Sequence, residues 1–133
     1  MDAREFFPIA ERLRNSANEA ERRTSAGRSY YGLFHVLLGA LSERGVIFRQ
    51  TPEDHQMLIS YLTKAGHKTA ASVGLALKDL RQDRNRADYQ LKEVFDAKTS
   101  DFVYQKAMRA LGQFESVPAA EVATIIRNIQ ALR

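Results

Sequence analysis

Between Leu80 and Leu91 the chain reads LRQDRNRADYQL, which packs Arg81, Arg84 and Arg86 together with Asp83 and Asp88. A guanidinium presents a planar fork of N–H donors that matches phosphate oxygens, so arginines converging from one helix face suit an anionic ligand. The direction of Arg84 decides whether that chemistry is available. Ala70, Val73, Leu77 and Leu80 recur at helical spacing, and the next steps of the same stripe fall on Arg84, then Ala87 and Leu91. A permanently charged group is thereby carried onto an apolar face. There it needs a counter-charge, or an opening into a cleft or a subunit interface. Asp88, four residues on, is the local partner, and Arg81, one turn earlier, adds a second fork for a phosphate. A plainer reading stands beside this one. Asp79 and Asp83 would neutralise the same arginines as surface pairs worth less than about 1 kcal/mol each, or the helix would break at Asp83 or Asn85 and leave Arg84 on a solvated turn.

Other reactive side chains are sparse. There is no cysteine, hence no thiolate nucleophile or thiolate metal site, which fits a reducing compartment. His35, His55 and His67 are too scattered to form a zinc cluster, so neither a metal nor a cofactor is expected. His35, one helical turn after Tyr31, would approach the arginines from another helix or serve as a half-buried packing residue; His55 reads as core or cap, and His67 as part of a turn. Tyr30 and Tyr31 have the faces to stack on bases, although their spacing to Phe34 and His35 also suits core and interface packing. Gly32 and Gly39 would let another helix approach closely, and a dimer contact is placed near them.

The elements that must position these groups read as helices almost throughout. A first helix carries Phe6, Ile9 or Ala10, Leu13 and Ala17, with Pro8 in its first turn. A long second helix spans about Glu19 to Glu43 with Tyr30, Phe34, Leu37, Leu38 and Leu41 on one face and Gly45 as its stop. Thr51 caps a third, with Pro52 at its first position, Glu53 and Asp54 at its positive end and the stripe His55, Leu58, Ile59 and Leu62. The fourth starts near Lys68 and becomes irregular around Asp88 to Lys98. Ser100 caps a fifth through Val103, Ala107, Leu111 and Phe114. Pro118 opens a sixth with Val122, Ile125, Ile126, Ile129 and Leu132. The expected fold is all-α: an up-and-down bundle of five or six helices in a single domain over 1–133, forming a dimer.

Composition agrees with a folded helical domain. The 133 residues are 44% hydrophobic and 27% charged, with a formal net charge of +4 that favours an anionic partner only modestly. No apolar run reaches the length of a signal peptide or a membrane span, so a cytoplasmic location away from membranes is expected.

Three segments in order, RSYYGLFH, DHQMLISYL and ALKDLRQDRNRADYQL, together resemble the HEPN superfamily over about Thr24 to Leu91, particularly its small stand-alone prokaryotic members. That resemblance implies a dimeric helical bundle whose motif arginines share a cleft, acting in toxin–antitoxin or defence modules by metal-independent RNA cleavage. Arg84 and Asn85 match the start of the family's motif. The histidine that should follow after four to six residues is missing, and Tyr89, Gln90 and Leu91 occupy those places. Tyrosine titrates near ~10 and makes a poor base, and loss of acid–base help slows a reaction by ~10²- to 10⁴-fold. Arg84, Asn85 and Tyr89 are therefore the catalytic candidates, Arg81 and Arg84 the phosphate ligands, and Asp88 their support. Two other readings stay open: a non-catalytic nucleotide-binding or regulatory module partnering a nucleotidyltransferase-type protein, with Tyr89 as an acceptor, and a structural helical dimer braced by its arginines.

Overall fold

The computed structural model describes residues 1–132 and contains only helical secondary structure among them. A short 3₁₀ turn over Ala3–Glu5 leads into α1 (Phe6–Leu13), followed by α2 (Glu19–Ser42), α3 (Glu53–Thr63), α4 (Lys68–Tyr89), α5 (Ala97–Glu115) and α6 (Ala119–Ala131). The expected all-α bundle of six helices is what the chain forms. No helix among the described residues is long and apolar enough to cross a membrane.

α2 is the central rod. Its small and apolar residues Ala26, Leu33 and Leu37 are fully buried, and it packs on α1, α4 and α5. Asn18 starts it by accepting a hydrogen bond from the Glu21 amide at 3.2 Å, as a short polar side chain at that position should. α4 lies alongside, with Ala70, Val73, Leu77, Leu80 and Ala87 buried in the shared core. The periodicity that places Arg84 in line with that stripe holds because α4 continues unbroken to Tyr89. Irregular chain begins at Gln90 rather than at Asp88.

Arg23 explains why α4 persists so far. This α2 side chain donates to the carbonyls of Ala87 at 2.8 Å and Glu93 at 2.5 Å, with longer contacts to those of Arg86 and Gln90. The last carbonyls of a helix have no partners within it. One guanidinium supplies donors for them and fixes the exit of the chain.

Two expected caps are relocated. Asp96, not Ser100, caps α5, its carboxylate accepting from the Thr99 amide at 2.8 Å. Ser100 lies inside the helix, fully buried, and donates to the Arg22 carbonyl of α2. Thr51 makes no side-chain cap on α3, and Pro52 stands just before its first residue. Asp54 does more than suit the helix dipole: its buried carboxylate takes the backbone amides of Arg49 and Gln50 at 2.9 and 2.8 Å. Those bonds hold the α2–α3 loop in a turn in which Gln50 has φ of 59°, an uncommon backbone for a residue with a side chain.

α6 closes one end of the bundle through Ile125, Ile126 and Ile129. Asn128 donates to the Ala65 carbonyl at 2.7 Å, and His67, whose Nδ1 caps α4 at the Ala70 amide, meets Glu121 through Nε2 at 2.8 Å. His67 is thus a cap and not a bare turn residue.

Gly32 admits the close helix approach expected of it. A Cβ on Gly32 would lie 2.9 Å from the Phe7 ring, so its space is filled by α1 of the same chain, while Gly39 faces no neighbour within 4 Å.

Candidate anion-binding site

Arg84 leaves α4 toward α2 and is held there by neutral groups. Its Nη2 donates to the Tyr31 hydroxyl at 2.5 Å and its Nη1 to the Asn85 side-chain oxygen at 2.9 Å. The Asp88 carboxylate stands 3.8 Å from Nε, a loose pair, and only 16% of the Arg84 side chain is exposed. Asp83, which sequence spacing offered as a neutraliser, is unavailable. It is buried and engaged by Arg86 at 3.0 Å and by Lys106 of α5 at 2.8 Å.

A further arginine joins from α2. The guanidinium carbon of Arg28 lies 5.5 Å and that of Arg84 5.0 Å from the Tyr31 ring centroid, within the range in which a cation is attracted to an aromatic face. Arg28 also stands 5.0 Å from the Phe6 ring and has no ion pair among the described residues. The Nε atoms of Arg28 and Arg84 are both buried without a hydrogen-bond partner. Buried donors without acceptors are uncommon in folded proteins. Arg81, half-buried one turn before Arg84, makes no ion pair with any described residue, and its charge reaches Tyr30 and His55.

The aromatic layer behind these cations is continuous. The Tyr30 hydroxyl is bonded to Nδ1 of His55. The His55 ring stacks on Phe34 with centroids 4.1 Å apart and meets the Tyr31 ring edge-on at 6.0 Å. His35 stacks on Tyr31 at 6.2 Å and is exposed rather than half-buried. Burial raises the Tyr30 phenol well above its ordinary value, so it keeps its proton beside His55. Burial, then the charges of Arg81 and Arg84, lower His55; burial, then Arg28, lower His35. Both imidazoles are therefore held neutral beside the arginines.

Of the residues singled out by sequence, Arg84, Asn85 and Asp88 meet directly, and Arg81 lies on the same side of the helix. Tyr89 does not join them. It is 73% exposed at the end of α4 and makes no hydrogen bond with a described residue. Arg84 is met instead by Tyr31 of α2. Arg28 and His55 had not been linked to Arg84 by spacing. The signal for Arg28 was the stripe Arg28, Tyr31 and His35, three and then four residues apart on one flank of α2.

Chemically, Arg84 and Arg28 meet at the Tyr31 phenol with Arg81 one turn away, and among the described residues the loosely held Asp88 is the one carboxylate paired with any of them. Such a cluster binds an anion with several acceptor oxygens and stabilises charge gathering on it. No family model, no curated protein and no solved structure matches the chain.

Proposed function

We propose that the chain is a HEPN-like, cytoplasmic, dimeric component of a prokaryotic toxin–antitoxin or defence module, and that it binds RNA through a phosphate seated on Arg84 and Arg81 with Arg28 beside them. The observation that carries this reading is the charge imbalance around Tyr31 and His55: Arg28 and Arg84 lie over the Tyr31 ring and Arg81 reaches His55, while among the described residues Asp88, 3.8 Å from Arg84, is the one carboxylate paired with any of the three. Asn85 fixes one fork of Arg84 and leaves its orientation set before a ligand arrives. The same arginines would stabilise the charge of a phosphoryl transition state, and the histidine absent after Asn85 makes binding the primary role.

Titration of a labelled single-stranded RNA at rising salt tests this. Each phosphate contact contributes a slope of about −0.7 in log affinity against log salt for single strands. Binding that weakens steeply with salt is expected, with Arg84→Ala losing about one contact's worth of slope. RNA cleavage without metal, abolished by the same substitution, would extend the role to catalysis. Binding that is absent at low salt, or indifferent to Arg84, sinks the proposal. If Arg84→Ala instead splits a dimer without touching affinity, the arginines brace an interface.

A second reading is favoured by Tyr89, whose hydroxyl is exposed and unbonded as an acceptor of a transferred nucleotidyl group must be. In that case a nucleotidyltransferase-type partner and ATP would add the mass of a nucleotide to Tyr89, and Tyr89→Phe would remain unmodified.

A further inference from the structure

A hollow of about 710 Å³ opens between α2, the loop that follows it and the start of α3. Phe34, Leu38, Val46 and Phe48 give it apolar walls, and His35 and His55 stand at its edge. Those two histidines also border the arginine cluster, for each ring abuts Tyr31, the residue bonded to Arg84. Hollow and cluster therefore share one wall.

His55 gives the hollow a polar direction. The Tyr30 hydroxyl has no other acceptor among the described residues, so its proton is used by donating to Nδ1 of His55, and the neutral ring then carries its own proton on Nε2, on the side away from Tyr30. No described residue accepts from Nε2, and the ring lines the hollow. A ligand that uses all of these features is largely apolar where it meets the walls, offers an acceptor to Nε2–H, and carries an anion toward Arg84. A purely aliphatic guest would fill the walls and leave the Nε2–H unpaired, at the penalty of a buried donor without an acceptor.

We propose that this hollow takes the base of the nucleotide whose phosphate sits on Arg84 and Arg81, with Nε2–H of His55 donating to a ring nitrogen or carbonyl of that base. The inference rests on the phosphate reading above and adds to it a reason for the site to prefer nucleotides over bare phosphates.

Competition against a labelled RNA separates the two claims. The probes are AMP, UMP, ribose 5-phosphate and inorganic phosphate. AMP or UMP is expected to displace the RNA at a concentration about tenfold below that of ribose 5-phosphate, a gain at the lower end of what contacts to one base contribute. Leu38→Trp, which fills the hollow, should collapse that ratio to about one. His55→Phe, which keeps the ring and removes the donor, should reduce it by severalfold, and its melting curve shows whether the fold is retained. A short oligoadenylate that competes better than AMP makes the occupant a nucleotide within a strand, and equal competition makes it a free nucleotide; both uphold the inference. If nucleotides and ribose 5-phosphate compete equally while RNA still binds through Arg84, the hollow does not receive a base and the phosphate reading survives. If the RNA does not bind at all, the phosphate reading fails first.

Discussion

The Arg84 guanidinium donates to the hydroxyl of Tyr31 at 2.5 Å, across 53 positions of sequence, and the two residues thereby tie α4 to α2 at the charged end of their contact. Because the bond joins a charged donor to a neutral acceptor in a half-buried place, its loss is felt in stability and in geometry together. Tyr31→Phe removes the acceptor and keeps the ring. We expect a destabilisation of about 1 to 2 kcal/mol and a weaker, less salt-sensitive RNA complex, read by urea unfolding and by the binding titration. Unchanged unfolding would show that the hydroxyl contributes nothing to the pairing of these helices.

Arg23 offers a larger effect away from the site. It is nearly buried, with 10% of its side chain exposed, and pairs with Glu19 at 3.3 Å while holding the carbonyls that end α4. Arg23→Ala should lower stability by about 3 kcal/mol, since it leaves the Ala87 and Glu93 carbonyls without a donor. Arg23→Lys should recover less than half, because one ammonium cannot reach carbonyls that diverge as these do. Full recovery in lysine would mean that charge, and not the fork, secures the helix end.

Two glycines should respond in opposite directions. A Cβ on Gly74 would lie 2.8 Å from the Thr63 methyl and 3.1 Å from its backbone nitrogen, where α3 and α4 nearly touch. Gly74→Ala should therefore destabilise by about 1 to 3 kcal/mol, as overpacking does, in spite of its gain in helix propensity. Gly112 in α5 faces no neighbour within 4 Å, and Gly112→Ala should stabilise by up to about 1 kcal/mol. Equal shifts for the two substitutions in a thermal melt would contradict the close approach of α3 and α4.

Acid should weaken the fold through its histidines. His55 faces Arg81, Arg84, His35 and Asp54, and His35 faces Arg28; burial is the first cause of the lowering at both, and only Asp54 opposes it. A histidine lowered by folding binds fewer protons in the native state than in the unfolded chain, so stability rises with pH across that interval. The contribution is complete above the ordinary value near ~6.5 and is lost as pH falls from there through the folded value. Urea midpoints at about pH 7.5 and about pH 5.5 should fall with acid, and His55→Gln should flatten the difference. A midpoint indifferent to acid in this range would contradict a His55 ring held neutral by its surroundings.

The bundle itself was legible because its helices carry apolar stripes at regular spacing, and the direction of Arg84 followed from the stripe of Ala70, Val73, Leu77 and Leu80. Local spacing ends there. Tyr31, Arg28 and His55 meet Arg84 and its neighbours only through the packing of α2, α3 and α4, and nothing in a single segment reports that register. The caps show the same boundary. Asp96 and Ser100 are both good capping residues by type, but the Ser100 hydroxyl is taken by the Arg22 carbonyl, and the helix therefore begins earlier. Asp54 was read for its charge at a helix start, whereas the folded loop uses both of its oxygens for backbone amides.

The carboxylate of Asp54 sets the lip of the hollow before anything enters it, because the amides of Arg49 and Gln50 are already tied down. Under the proposed occupancy a guest would meet a lip already held by these two bonds, and less of the protein's freedom would be lost on binding. Arrival should accordingly run at the pace of diffusion and charge steering, and differences in grip among guests should be written in how long each one stays.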